Sequence, residues 1–227
     1  WVPPTIAPLA RHPLRVAGDV KRHLTGRLSL RGLDLAANGE HFLRLAYAEA
    51  RAVGLEPLLV WGTLLGCVRH AGFITGDHDI DLAVMASEAH RLPAWRDRLF
   101  RRGFNLRIEN DCKLSVVHPR HPRLFIDVDV VVPHRDGWAI INKNADPVRR
   151  FVYHFPRAVF DGAREAAFER GLTVRIPADP EGFLRAVYGD WRTPAAKVDY
   201  RYGPLNTEVE LVGVPVTVPA ERAMAVR

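Results

Sequence analysis

Apolar residues along this chain fall into two rhythms. Over residues 38–53, Phe42, Leu45, Ala46, Ala50 and Val53 recur at helical spacing, with Asn38 as N-cap, Glu40 in the first turn and Gly54 just past the end. Residues 58–61 are a short unbroken apolar run, which reads as a buried strand leading into Gly62-Thr63. A short helix and a glycine-broken loop follow. The pattern then switches to alternation at Asp79-Ile80-Asp81-Leu82, so a strand is predicted there. Ser87 is placed to cap a helix over 88–102, broken or restarted at Pro93 and stopped by Gly103. Residues 104–108 and 113–117 read as strands about an Asn110-Asp111 turn, and 124–132 as a further strand. Residues 133–154 read as a loop-rich link containing Trp138 and Asn142-Lys143-Asn144. Asp179 with Pro180 opens a helix over 181–188 that ends at Gly189, and 209–218 suits a hairpin or paired edge strand. Helices and strands mixed in this way predict an α+β fold.

Composition narrows this only a little. The chain has 227 residues, 48 % hydrophobic and 26 % charged, an ordinary globular mix. No run of eighteen or more apolar residues exists to span a membrane. Its first residue is Trp1, not Met, which suggests a domain excised from a longer chain, with a cytoplasmic location expected. Cys67 and Cys112 form no disulfide framework and read as small buried thiols. His118, His121 and Cys112 match no closed zinc spacing, so residues 118–123 read as a basic surface loop. The net charge of +6 suits an anionic partner, but the arginines are scattered, with no dense basic run interleaved with aromatics. No nucleic acid partner is therefore expected. The Pro- and Arg-rich residues 1–36 read as an N-terminal arm with a short helix or irregular cover, open to peripheral contact with a membrane surface.

The chemistry is concentrated in two places. Asp79 and Asp81 share one strand face, and Asp77 precedes them at the same spacing. Carboxylates so placed repel one another unless a cation lies between them, and Mg²⁺ or Mn²⁺ suits a few carboxylates plus phosphate oxygens. Upstream, the Gly62-Thr63 turn opens a helix, where backbone N–H groups form an anion site. In the second place, Asp127 and Asp129 share a face in the otherwise apolar run 124–132. Burying a carboxylate unpaired is costly, so either both face solvent or one joins the metal.

The run Gly62-Thr63-Leu64-Leu65-Gly66, Arg69-His70, Gly72-Phe73-Ile74, then Asp77-His78-Asp79-Ile80-Asp81, resembles the LicD/fukutin-related family. So does the closing Tyr188-Gly189-Asp190-Trp191 before Pro194, which extends the resemblance over about residues 58–194. His78 departs from the family, which often has another Asp there. The resemblance implies a nucleotidyltransferase-like mixed β-sheet flanked by helices, over residues 37–194. Residues 1–36 would then be the arm, and 195–227 a C-terminal extension packed on the same domain. It also implies transfer of a substituted phosphate, such as phosphocholine or a phospho-alditol, from a CDP-linked donor to a glycan or polysaccharide acceptor, with CMP released. Asp79, Asp81 and Asp127 would be the catalytic metal ligands, with Asp129 and Asp77 in reserve. Asp127 or Asp129 would take the acceptor proton. Gly62 and Thr63 would cradle a donor phosphate, and Arg69 and Lys113 would supply counter-charge. Two other readings stand beside this one: a nucleotidyltransferase that moves the NMP itself, and a non-catalytic module binding an anionic polymer.

Overall fold

The computed structural model describes residues 30–142, 149–193 and 207–211. The first helix, α1 (Leu30–Arg51), starts earlier than its N-cap signal predicts. Asn38 lies inside it, where its amide donates to the Asp34 carbonyl (3.4 Å) and meets His121 Nδ1 (3.2 Å). Leu35 and Ala37 are as buried as Phe42 and Leu43, so the apolar face continues upstream and carries the helix past the capping residue. Part of the expected arm is thus helix; residues 1–29 lie outside the described set.

Next come β1 (Leu58–Leu59), α2 (Trp61–His70) and β2 (Asp79–Met85). A single 3₁₀ turn (Ala89–Arg91) then leads into α3 (Leu92–Arg101), which has Pro93 in its first turn; proline restarts this helix rather than breaking it. The strands β3 (Asn105–Asn110) and β4 (Lys113–His118) form the expected hairpin. β5 (His121–His134) is longer than its apolar run. The supposed surface loop is the tight turn between β4 and β5, with His118 and His121 both packed on the Phe42 ring of α1.

Residues 133–154 depart most from the expected loop-rich link. They contain the end of β5, β6 (Gly137–Asn142) and β7 (Arg149–Phe155), paired antiparallel in succession. Gly137 and the polar residues around it hide a strand whose apolar residues Ala139 and Ile140 are buried only because neighbours cover them. The Lys143-Asn144 stretch lies outside the described residues. A short helix, α4 (Arg157–Phe160), precedes β8 (Ala163–Phe168) and β9 (Leu172–Pro177). In α5 (Pro180–Tyr188), Asp179 caps as predicted, accepting from Gly182 N–H at 2.8 Å. The last described element, β10 (Thr207–Leu211), pairs antiparallel with the edge of β7, within the expected C-terminal extension.

All ten strands among the described residues belong to one mixed sheet. Its main path runs β10-β7-β6-β5-β2-β1-β9-β8, and β4 joins β5 on the flank that β6 takes further along the same strand. Two neighbouring pairs, β2–β5 and β1–β9, are parallel; the rest are antiparallel. α1 packs over β5, β2 and α3, while α2 packs against β2, β8 and α5. The fold is the mixed α+β architecture expected. No helix among the described residues is long and apolar enough to cross a membrane.

Candidate active site

The carboxylates meet because β2 and β5 run parallel and side by side. Their register sets Asp81 opposite Asp127, Asp79 opposite Phe125 and Ala83 opposite Asp129. Strand alternation buries Ile80, Leu82, Ile126 and Val128 and leaves the acids together on the other face. On the far side of β5, β4 sets Ser115 opposite Asp127 and Lys113 opposite Asp129. Lys113 Nζ lies 2.8 Å from Asp127 Oδ2 and 3.9 Å from Asp129 Oδ1, and the Ser115 hydroxyl donates to Asp127 Oδ1. Asp129 is the most buried of the acids and accepts from the Trp61 indole N–H at 2.7 Å. The two β5 aspartates are therefore not equivalent. Asp129 is enclosed beneath Trp61, whereas Asp127 lies beside Asp81.

The electrostatics follow from this crowding. Burial, and then the charges of Asp79, Asp77 and Asp127, push the Asp81 carboxyl well above its ordinary pKa. Burial also raises Asp79, helped by Asp127 and opposed by His78 and Lys113. Burial raises Asp129 as well, against the pull of Lys113 and the Trp61 hydrogen bond. For Lys113, burial works against the charge, but Asp129 and Asp127 outweigh it and hold the ammonium well above the usual lysine range. Five carboxylates thus face one firmly paired cation, a balance that a hard divalent ion would redress. His78 brings its imidazole to 3.6 Å from Asp79 and 3.9 Å from Asp77. Ligand atoms of Asp77, His78 and Asp79 all lie within 4.8 Å of one another. The residues present fit a divalent cation, and Asp77, held in reserve by the sequence, stands inside the cluster.

The helix that faces these acids begins abruptly. Trp61, at the start of α2, has φ 46°, a left-handed conformation rare for a bulky residue, and no side chain caps this end. Its ring is fixed by edge-on contacts with Tyr153 and Phe183. Gly62 sits in the first helical turn, and a Cβ there would stand 2.6 Å from Asp77 Oδ2 and 3.5 Å from Asp81 Oδ2. The close approach that requires glycine is thus to carboxylates. Thr63 is fully buried, and its hydroxyl accepts from the Asp81 backbone N–H at 2.9 Å, tying the helix start to β2. Arg69 is at the other end of α2, where its guanidinium donates to the Trp191 and Thr193 carbonyls. That links the two separated parts of the sequence signature but keeps Arg69 out of the carboxylate cluster.

Trp61, Ser115 and Arg107 are not among the residues that the sequence singles out. Arg107 lies over the Phe125 ring, 4.0 Å from its centroid, with Nη1 4.0 Å from Asp127 Oδ1. The alternation Lys113-x-Ser115 opposite Asp127-x-Asp129 was a usable signal. The positions of Trp61 and Arg107 depend on contacts that no local pattern encodes.

The family described as LicD/FKTN/FKRP, nucleotidyltransferase domain, matches residues 54–178, over half of the chain. The chain belongs to this family. Membership makes it a LicD-family transferase domain of nucleotidyltransferase-like fold, in agreement with the mixed sheet. A comparison with curated proteins finds no match. Solved structures similar to this LicD domain include the lincosamide antibiotic adenylyltransferase LnuA with lincomycin bound. It has 12 % identity and a TM-score of 0.42, covering 69 % of this chain and 85 % of that one. Another is ANT(2")-Ia in complex with adenylyl-2"-tobramycin, with 16 % identity and a TM-score of 0.46, covering 68 % and 77 %. Similarities this weak add nothing to the argument about the LicD domain.

Proposed function

We propose that this domain transfers a substituted phosphate from a CDP-linked donor to a glycan hydroxyl and releases CMP. The observation that carries the reading is the β2–β5 register, which sets Asp127 beside Asp81 on the face that also bears Asp79. Asp79, Asp81 and Asp127 would hold Mg²⁺ or Mn²⁺; of these, Asp79 also groups with Asp77 and His78, the three offering ligand atoms within 4.8 Å of one another. When bound, such an ion neutralises charge on the donor diphosphate and on the leaving CMP. Lys113 fixes Asp127 in place, and Trp61 fixes Asp129. Asp127 takes the proton of the acceptor hydroxyl as the hydroxyl oxygen bonds to the donor's distal phosphorus and the bond from that phosphorus to the CMP oxygen breaks. Asp129, enclosed under the indole, has a supporting role. The uncapped start of α2 offers backbone N–H groups to a donor phosphate.

The deciding experiment incubates the protein with a panel of CDP-linked donors, a glycan acceptor and Mg²⁺, and identifies the nucleotide product. Release of CMP, lost on chelation, is the expected result. Release of pyrophosphate from a nucleoside triphosphate, with the nucleotide left on the acceptor, would assign the domain instead to nucleotidyl transfer. Equal retention of an anionic polymer by the protein and by an Asp79→Asn, Asp81→Asn double variant, with no turnover by either, would identify a binding module.

A further inference from the structure

We propose that Arg107, held on the face of Phe125, is an anion-receiving subsite at the rim of the carboxylate face, shaped for a diphosphate oxygen. The proposal rests on the reading of this site as one that binds a phosphate-bearing donor.

A slip in register sets Arg107 apart. On the β3–β4 hairpin, Leu106 pairs with Val116 and Ile108 with Ser115, so two steps on β3 match one on β4. Arg107 is the extra residue, and a bulge of this kind re-aims a side chain that regular pairing would hold along the edge. The guanidinium comes to rest 4.0 Å from the centroid of Phe125. Phe125 is the residue opposite Asp79, two before Asp127 on the same strand face. An aromatic ring under a cation fixes its plane without occupying its N–H donors.

Those donors have little else to do. The nearest acid is Asp127 Oδ1, 4.0 Å from Nη1, beyond hydrogen-bond range, and it already accepts from Ser115. The contrast with nearby arginines is direct. Arg96 reaches Glu109 at 2.7 Å, and Arg98 and Arg102 each reach Glu49 at 2.6 Å. Arg107 remains 43 % exposed, beside the carboxylates that would hold the cation. Lys113 is enclosed by Asp127 and Asp129. Arg107 is thus, among the described residues, a partly exposed cation at the rim with no hydrogen-bonded acid, and a planar fork of this kind recognises phosphate oxygens two at a time. It would hold the end of the donor diphosphate that the metal does not neutralise.

The test is isothermal titration of inorganic pyrophosphate, and separately of CDP, in the presence of Mg²⁺ at fixed ionic strength. Wild type is compared with Arg107→Gln, Arg107→Lys and Phe125→Leu, with circular dichroism as a check on folding. Arg107→Gln should weaken pyrophosphate binding about tenfold or more. Arg107→Lys should recover only part of the loss, because it restores charge without the fork. Phe125→Leu should weaken binding with the charge intact. Arg107→Gln within twofold of wild type, or no millimolar pyrophosphate binding by wild type, would overturn the subsite. Pyrophosphate binding that depends on Arg107, together with no CMP from any CDP-linked donor, would retain the subsite and remove the CDP reading.

Discussion

At the scale of single residues, the β5 aspartates invite a direct comparison. Asp127 faces Asp81 across the strand pair, whereas Asp129 is closed in by Trp61 and Lys113. Asp127→Asn should lower turnover by roughly 10²-fold, the usual scale for loss of a general base, and also cost some stability because it gives up the 2.8 Å ion pair with Lys113. Asp129→Asn should cost about 1–3 kcal/mol of stability, because the buried Trp61 indole N–H loses its charged acceptor, and should lower turnover far less. Denaturant melts and steady-state rates on the two variants check this, and the reverse assignment of effects would mean that Asp129 is the reactive acid. Gly62 supports a second prediction. A methyl at Gly62 would stand 2.6 Å from Asp77 Oδ2, so Gly62→Ala must displace that carboxylate. Divalent affinity measured by Mn²⁺ titration should fall about tenfold, the scale of a disturbed ligand shell. The need for small size at Gly62 was legible in the sequence. Its cause was not, because Asp77 reaches it only after the loop has folded back.

Elements are held to one another by a few polar clamps over an apolar interior. Glu49, buried on α1, receives Arg98 and Arg102 from α3 and its end, each at 2.6 Å. Burial works to raise the pKa of Glu49, but the hydrogen bonds from Arg102 and Arg98 outweigh it and hold the carboxyl below the ordinary glutamate value of 4.5. A folded-state pKa below the unfolded one stabilises the fold above the unfolded value, and that contribution fades as the pH drops through the folded value. Glu49→Gln should therefore cost about 1–2 kcal/mol at neutral pH, the low end because both arginines reach water. The gap from wild type should narrow in acid below the glutamate range. Thermal melts at pH 7 and pH 3.5 measure both; a gap that persists in acid would mean that the clamp acts through packing alone. The boundary of α1 shows why local signals misjudged an element: the apolar face of Leu35 and Ala37 outweighs the capping preference of Asn38.

For the whole molecule, the governing fact is that folding gathers Asp79, Asp81, Asp127 and Asp129 on one face of the sheet, with Asp77 beside them from the preceding loop and Lys113 paired to the β5 acids. Burial raises the pKa values of both Asp79 and Asp81, helped by Asp127 at Asp79 and by Asp79, Asp77 and Asp127 at Asp81, a penalty that opposes folding at neutral pH. A divalent ion that binds only the folded state should relieve it. At a hundred times its dissociation constant it adds about 2.7 kcal/mol, which for a domain of this size is a rise in melting temperature of roughly 5–10 °C. Differential scanning fluorimetry with Mg²⁺, Mn²⁺ and chelator reads this directly, and the rise should vanish in Asp79→Asn, Asp81→Asn. The sequence by itself determined the parts whose causes are local. Period-two alternation put Asp79 with Asp81 and Asp127 with Asp129, Asp179 capped its helix, and the ordered motifs marked the family. Tertiary structure alone decided which strands touch and in what register. Alternation assigns a side chain to a face but not to a neighbour, so the meeting of Asp81 with Asp127 waited on the parallel β2–β5 pairing. The same holds for the strands β6 and β7, whose apolar residues are buried only once β5, β10 and the rings of Trp61 and Phe183 join them, and for Arg107, aimed at Phe125 by a bulge that exists only once β3 has paired with β4.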